Sequence, residues 1–163
     1  MFTVINYQKE LDRIIDGLVQ SKNVPSLYLH SCCAPCSSYV LEYLREFFHI
    51  TVFYYNPNIS LEEEYQKRVA EQKRLIAEYN RIIDSGQARG YNIKTVEGDY
   101  VPQDFYDAVR GLEQCEEGKE RCFKCYELRL RQTAINAVAE GFGYFTTTLT
   151  ISPLKNAQKL NEI

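Results

Sequence analysis

The sequence predicts an α/β fold: a doubly wound, mainly parallel, Rossmann-like sheet with helices on both faces. Short apolar runs alternate with longer amphipathic segments, which implies parallel pairing through right-handed crossovers. Pro, Gly and Asn turn signals separate the segments. With 163 residues, of which 45% are hydrophobic and 25% charged, the chain suits a single domain over residues 1–163 that buries a real core. No internal repeat, linker or low-complexity stretch interrupts it.

Asn6 caps a first helix in which Leu11, Ile14, Ile15 and Leu18 recur at the spacing of one buried face. Pro25 closes the connection, residues 26–30 read as a buried strand, and a cysteine turn follows, then a helix near 37–48. The second strand, 50–55, ends at the turn signal Asn56-Pro57-Asn58. Ser60 with Glu63 predicts a capping box for a long helix lined by Tyr65, Val69, Ile76, Tyr79 and Ile83. Residues 86–90 end it; a third strand, 93–97, then leads through Gly98-Asp99-Tyr100 to a short helix near 104–110. A glutamate-rich loop, 113–120, delivers a second cysteine pair onto a helix that runs to Glu140. Gly141 and Gly143 precede a fourth strand, 144–149, and Pro153 opens a last helix. In such a sheet ligands sit beyond the carboxyl ends of the strands, so residues 31–36, 56–58, 98–100 and 150–153 should meet at one edge.

The formal charge of −3 argues against indiscriminate nucleic-acid binding. A local basic face survives that argument, because Lys119, Arg121, Lys124, Arg129 and Arg131 outnumber Glu120 and Glu127 around the second cysteine pair; a solvated helix face explains it equally well. No stretch approaches the roughly 20 apolar residues of a membrane span, and the start, Met1 to Asn6, lacks a basic region followed by an apolar one. The expectation is a soluble, cytoplasmic chain without a membrane partner. In that compartment cysteines bind metal or do redox chemistry more often than they form structural disulfides.

Five of the six cysteines fall in two groups, Cys32-Cys33-Ala34-Pro35-Cys36 and Cys122-Phe123-Lys124-Cys125. Cys33 with Cys36, and Cys122 with Cys125, have the two-residue gap that lets a turn aim both sulfurs at one metal. Both pairs precede or open helices, where partial positive charge favours the thiolate. Cys32 joins only if the strand has already turned, since adjacent strand residues face opposite ways. Spacing alone leaves tetrahedral zinc and an iron–sulfur cluster both open. Asp99 is either a turn former or a carboxylate aimed at the crevice, and His30 reads as a strand-ending histidine or a ligand. Tyr54 and Tyr55 must face different sides, with packing the default for both. Thr148, Thr150 and Ser152 are candidates for phosphate or ribose contacts. No phosphate-cradling glycine loop follows a strand.

The segments His30-Ser31-Cys32-Cys33-Ala34-Pro35-Cys36, Tyr54-Tyr55-Asn56-Pro57-Asn58-Ile59, Glu97-Gly98-Asp99-Tyr100, residues 121–130 and residues 146–153 occur in this order. Together they resemble the QueH family of epoxyqueuosine reductases, the type that needs no cobalamin. The likeness runs from residue 26 to the last residue. It implies two-electron removal of the epoxide oxygen of epoxyqueuosine in tRNA, with a four-iron four-sulfur (4Fe-4S) cluster beside an additional iron ion. Carried over by motif, Cys32, Cys33, Cys36, Cys122 and Cys125 become metal ligands, with Cys32, Cys33, Cys122 and Cys125 on the cluster. Asp99 and Tyr55 become candidates for the catalytic protons. Lys119, Arg121, Lys124 and Arg129 would hold a tRNA with a queuosine-type anticodon base, and an unidentified electron donor is required. The family continues past Ile163 to a late Cys-Gly-Cys element, so the expectation is a C-terminally truncated fragment with an incomplete ligand set, whose isolated form is apo, zinc-bound or disulfide-bridged. Cys115 matches nothing in the family pattern and reads as a non-ligand. A zinc-stapled RNA-binding module without catalysis is the alternative from another class; a tRNA-thiolating enzyme lacks its pyrophosphate loop here.

Overall fold

Strands β1 (Ser26–His30), β2 (His49–Tyr54), β3 (Lys94–Glu97) and β4 (Tyr144–Thr147) form one all-parallel sheet in the order β3-β2-β1-β4. The computed structural model describes residues 5–163; residues 1–4, which entered the expectation of an unexported chain, lie outside the described residues. Helix α1 (Tyr7–Ser21) precedes the sheet; α2 (Ala34–Leu44) joins β1 to β2 and α3 (Glu62–Asp84) joins β2 to β3. The chain then returns through α4 (Pro102–Ala108) and α5 (Glu120–Ala139) to β4, on the opposite flank of β1. Strand order therefore reverses between β1 and β4, which opens a crevice beyond their carboxyl ends. A 3-10 turn, Thr148–Ile151, and helix α6 (Ala157–Glu162) follow at that edge. Among the described residues, no helix is long and apolar enough to cross a membrane.

Alternation along the strands sorts the core into two layers. Leu27, Leu29, Ile50 and Val52 pack under Ile15 and Leu18 of α1, Leu41 and Leu44 of α2 and Ile76 of α3. Tyr28, Phe53 and Tyr55 face the other way, against Ala137 and Leu128 of α5 and Phe142 beyond it. Tyr54 lies with Tyr65 and Val69 of α3, so the two adjacent tyrosines do take opposite faces. Register pairs His30 with Phe53 on one side and Thr147 on the other, so β1 ends inside a fully paired sheet.

Several elements differ from their expected limits, each for a local reason. Asn6 does cap α1, accepting from Lys9 N at 3.1 Å, but Ile14 is exposed and Ile15 and Leu18 carry the buried face. Helix α2 starts at Ala34 rather than near 37, because Pro35 is tolerated in a first turn that needs no amide there. The capping box at Ser60 and Glu63 does not form: Leu61 is the cap residue and makes no side-chain bond, while Glu62, Glu63 and Glu64 place charge against the positive helix end. Ile93 drops out of β3 because the Asn80 side chain satisfies its backbone, accepting from its N at 2.8 Å and donating to its O at 2.9 Å. Strand β4 stops at Thr147, whose hydroxyl accepts from Leu149 N at 3.1 Å and starts the 3-10 turn. The last helix is capped by Asn156, not opened by Pro153.

Two substitutions test this packing. Leu29 is completely buried on the α1–α2–α3 side, so Leu29→Ala should lower unfolding free energy by about 2–5 kcal/mol in urea titrations. At Gly98 an added Cβ would lie 2.9 Å from the rings of Phe53 and Tyr55, so Gly98→Ala should cost about 1–3 kcal/mol in the same measurement.

Candidate metal centre

The chain leaves β1 at His30, and Ser31, Cys32 and Cys33 turn into the crevice before α2 begins. Cys33 is the cap residue of α2 and Cys36 lies in its first turn. Because the strand has ended, Cys32 is free to join them: the sulfurs of Cys32, Cys33 and Cys36 all lie within 4.8 Å of one another. Cys32 Sγ and Cys33 Sγ are 3.8 Å apart. Thr148 fixes Cys32 twice, its hydroxyl accepting from Cys32 N at 3.1 Å and donating to Cys32 Sγ at 3.3 Å. It is fully buried, which removes it from the candidates for phosphate or ribose contact.

Beneath the loop lies a buried polar trio. Ser31 and Ser37 hydroxyls are 2.6 Å apart, Ser31 donates to Gln72 Oε1 at 2.7 Å, and Ser37 reaches the Cys33 carbonyl at 2.8 Å. Gln72 sits between Val69 and Ile76 on the inner face of α3, a position the sequence pattern assigns to an apolar residue. Its Nε2 is buried without a partner among the described residues.

The three thiols are electrostatically unequal. A hydrogen bond from Cys32 holds the Cys33 thiol below its ordinary range, and the opening turn of α2 favours the same charge. Cys32 is pushed up by giving its proton to that bond and by burial, and burial raises Cys36. The site thus has one thiolate-prone sulfur flanked by two that ionise when a metal displaces their protons.

His30 is fully buried and held neutral, its pKa lowered to about 3 by burial and by the Arg129 charge. Its hydrogen bonds form one consistent chain. Leu149 N donates to Thr147 Oγ1 at 3.1 Å, Thr147 donates to His30 Nδ1 at 2.9 Å, and His30 Nε2 donates to the Tyr55 carbonyl at 3.0 Å. Both nitrogens are used, so His30 is a strand-ending strut rather than a ligand.

The second cysteine pair stands in the first turns of α5. Cys122 Sγ accepts from Gly118 N at 3.2 Å, and Cys122 packs with Cys32 and Phe123 against Tyr126, Leu130, Leu149 and Leu160. Cys125 is buried and its sulfur accepts from Arg129 Nη1 at 3.6 Å. The two pairs therefore meet at one edge, although the tight sulfur triplet contains only residues of the first. Cys115 stays apart, its thiol directed at Glu120 Oε2 at 3.3 Å.

Arg129 is not an outward RNA contact. It is 4% exposed, its Nη2 donates to Asn56 Oδ1 at 2.7 Å, and Asn56 in turn donates to the Ser31 carbonyl at 2.9 Å. Lys119 and Lys124 are exposed, Lys124 pairing with Glu127 at 2.9 Å, while Arg121 donates to the Glu113 carbonyl at 3.2 Å. The Tyr55 hydroxyl faces Asp104 at 3.5 Å, and its pKa is pushed up to about 12 by burial and by Asp104 and Asp99. Asp99 is exposed. Two hydroxyls feel the cysteines: burial raises the pKa of Tyr54, with Cys33 and Cys32 adding to the rise, and burial with Cys122 and Cys125 raises Tyr126; the Tyr54 hydroxyl has no hydrogen-bond partner among the described residues. A groove of about 510 Å³ opens beside Cys33, with Ser38, Arg68 and Arg74 on its walls. A larger groove, about 860 Å³, lies between α5, β4 and α6 and has no cysteine on its walls.

The donor set fits a thiophilic metal. Three mutually close sulfurs are the soft donors such a metal selects, and the buried guanidinium beside Cys125 donates only to neutral groups and that cysteine.

The family model described as "Epoxyqueuosine reductase QueH" matches residues 27–163. A Streptococcus pyogenes serotype M1 protein named epoxyqueuosine reductase QueH is 40% identical over 159 residues, covering 98% of this chain and 60% of the relative. The Staphylococcus aureus strain Mu50 protein of the same name is 38% identical over 161 residues, covering 98% of this chain and 65% of its own. A Helicobacter pylori relative, also so named, is 36% identical over 137 residues, 82% of this chain and 34% of that protein. The chain thus spans less than two thirds of the length of these relatives. A match across nearly every described element, cysteine turn included, makes the chain a member of the QueH family of epoxyqueuosine reductases.

Proposed function

We propose that this chain carries the metal site of an epoxyqueuosine reductase, which removes the epoxide oxygen of epoxyqueuosine in tRNA and leaves an alkene and water. The observation that carries the reading is the triplet of Cys32, Cys33 and Cys36 sulfurs at the sheet's switch point, in a chain of this family. The ligands in this reading are those three with Cys122 and Cys125, holding a 4Fe-4S cluster and an additional iron. Such a group supplies two electrons singly and a Lewis acid for the epoxide oxygen. The cytoplasm is the matching compartment, and a separate donor provides the electrons.

The chain's own groups then divide the work. Cys33 offers the readiest thiolate, and Thr148 and the Ser31–Ser37–Gln72 trio keep the turn from relaxing. The reduction consumes two protons with its two electrons. Tyr54, whose buried hydroxyl has no hydrogen-bond partner among the described residues, joins Tyr55 and Asp99 as a candidate to pass one. Lys119 and Lys124 project from the start of α5, where they can neutralise anticodon-loop phosphates while the modified base is unstacked into the crevice.

The direct test supplies reductant and tRNA bearing epoxyqueuosine to the full-length protein, reconstituted anaerobically with iron and sulfide, and analyses nucleosides by mass. Loss of one oxygen is expected; an intact cluster with the epoxide mass unchanged refutes the activity, and a colourless protein holding one zinc instead supports the non-catalytic RNA-binding alternative. Cys33→Ser should lower bound iron and cut turnover by at least roughly 100-fold. Replacing Lys119 and Lys124 with Ala should reduce the slope of log affinity for tRNA against log salt by about 1 for each phosphate no longer neutralised. An unchanged slope removes these lysines from the interface.

A further inference from the structure

Arg129 presents an electrostatic problem that the fold alone does not solve. Its guanidinium is permanently charged and nearly solvent-free, at 4% exposure. Burying such a charge is unfavourable unless an anion lies close. Yet none of the ion pairs among the described residues includes it. Its contacts are the Asn56 amide oxygen at 2.7 Å, His30 Nε2 at 3.5 Å and Cys125 Sγ at 3.6 Å. The His30 nitrogen has no lone pair to offer, because it donates to the Tyr55 carbonyl. The remaining source of negative charge is sulfur.

The position is built, not incidental. Asn56 is 2% exposed, is fixed by its bond to the Ser31 carbonyl, and grips Nη2 so that Nη1 points at Cys125. Thr133 accepts no part of the charge; it donates to the Arg129 carbonyl at 2.7 Å and secures the helix turn. Asn56 and Ser31 follow β2 and β1, whereas Arg129 and Cys125 belong to α5. The guanidinium therefore sits where the strand-end loop and the helix that carries the second cysteine pair come together.

We propose that Arg129 is the built-in counter-charge of the cysteine metal site: a positioning residue, held by Asn56, that stabilises the anionic thiolate–metal assembly and raises its reduction potential. This rests on the metal reading given above and names a residue that acts on the assembly through charge. A nearby cation favours the more negative, reduced state, so its removal lowers the potential. Lys in its place keeps the charge but loses the fork that Asn56 and Cys125 share.

The test uses full-length parent protein and the variants Arg129→Met, Arg129→Lys and Asn56→Asp. Cobalt(II) titration, read by sulfur-to-cobalt charge-transfer absorption, reports thiolate–metal affinity without any turnover. Arg129→Met is expected to bind about 10–100-fold more weakly, with Arg129→Lys between it and the parent. Asn56→Asp gives the guanidinium an internal carboxylate and should weaken binding in the same direction, which keeps the idea testable if Arg129→Met does not fold. In iron–sulfur-reconstituted samples, redox titration followed by electron paramagnetic resonance should show the potential of Arg129→Met and Asn56→Asp displaced to more negative values. Cobalt affinity and potential equal to the parent's in folded Arg129→Met or Asn56→Asp overturn the proposal, as does a parent that binds no metal through its thiols. A parent that binds cobalt with the expected variant order but leaves the epoxide intact refutes the activity and supports the counter-charge.

Discussion

Everything at this site depends on β1 being paired on both edges and covered on both faces. A strand held by β2 on one side and β4 on the other cannot shift without breaking both ladders, so its end is a fixed point in the molecule. The cysteine turn is anchored at that point. The reversal of strand order at the same place leaves the turn uncovered by a crossover helix, and it is one of the few locations where backbone can be both rigidly based and open.

The layer beneath the turn is polar, and its satisfaction is what gives the loop one shape. His30, Thr147 and the Tyr55 carbonyl lock the ends of three neighbouring strands together. Ser31, Ser37 and Gln72 do the same between the loop and two helices. Buried networks of this kind are costly when partly met and rigid when fully met. One member is incomplete, Gln72 Nε2, and it lies on the α3 side of the sheet, as does the separate unpartnered Tyr54 hydroxyl. Arg129 and Asn56 form the corresponding bracket on the α5 side.

The elements were legible in the sequence wherever period and punctuation agreed: strand β1, the long helix after Pro57 and the helix carrying Cys122 and Cys125 all appear where expected. The first cysteine group was legible because its spacing is short enough for local geometry to decide it. What was not legible depended on tertiary contacts. Gln72 occupies an apolar register, and Arg129 looks like one more surface cation in a basic run. Thr148 read as strand material because threonine suits a strand as well as the turn that the Thr147 hydroxyl starts one residue before it. No local rule could separate Tyr54 from Tyr55; only the helix that covers each face does so.

Gln72 carries a consequence for how variation in this protein should be interpreted. It links α3 to the hydroxyls that shape the cysteine turn, from a helix that bears no cysteine and begins more than twenty residues after the turn ends. A change at Gln72 is therefore transmitted to the sulfurs as a change of loop shape rather than as a loss of core. In a genetic screen, substitutions at Gln72 would group with cysteine mutations, whereas those at its core neighbours Val69 and Ile76 would group with general folding defects. The inheritance unit of the site is thus wider than its motif, and a natural variant that keeps every cysteine can still have lost it.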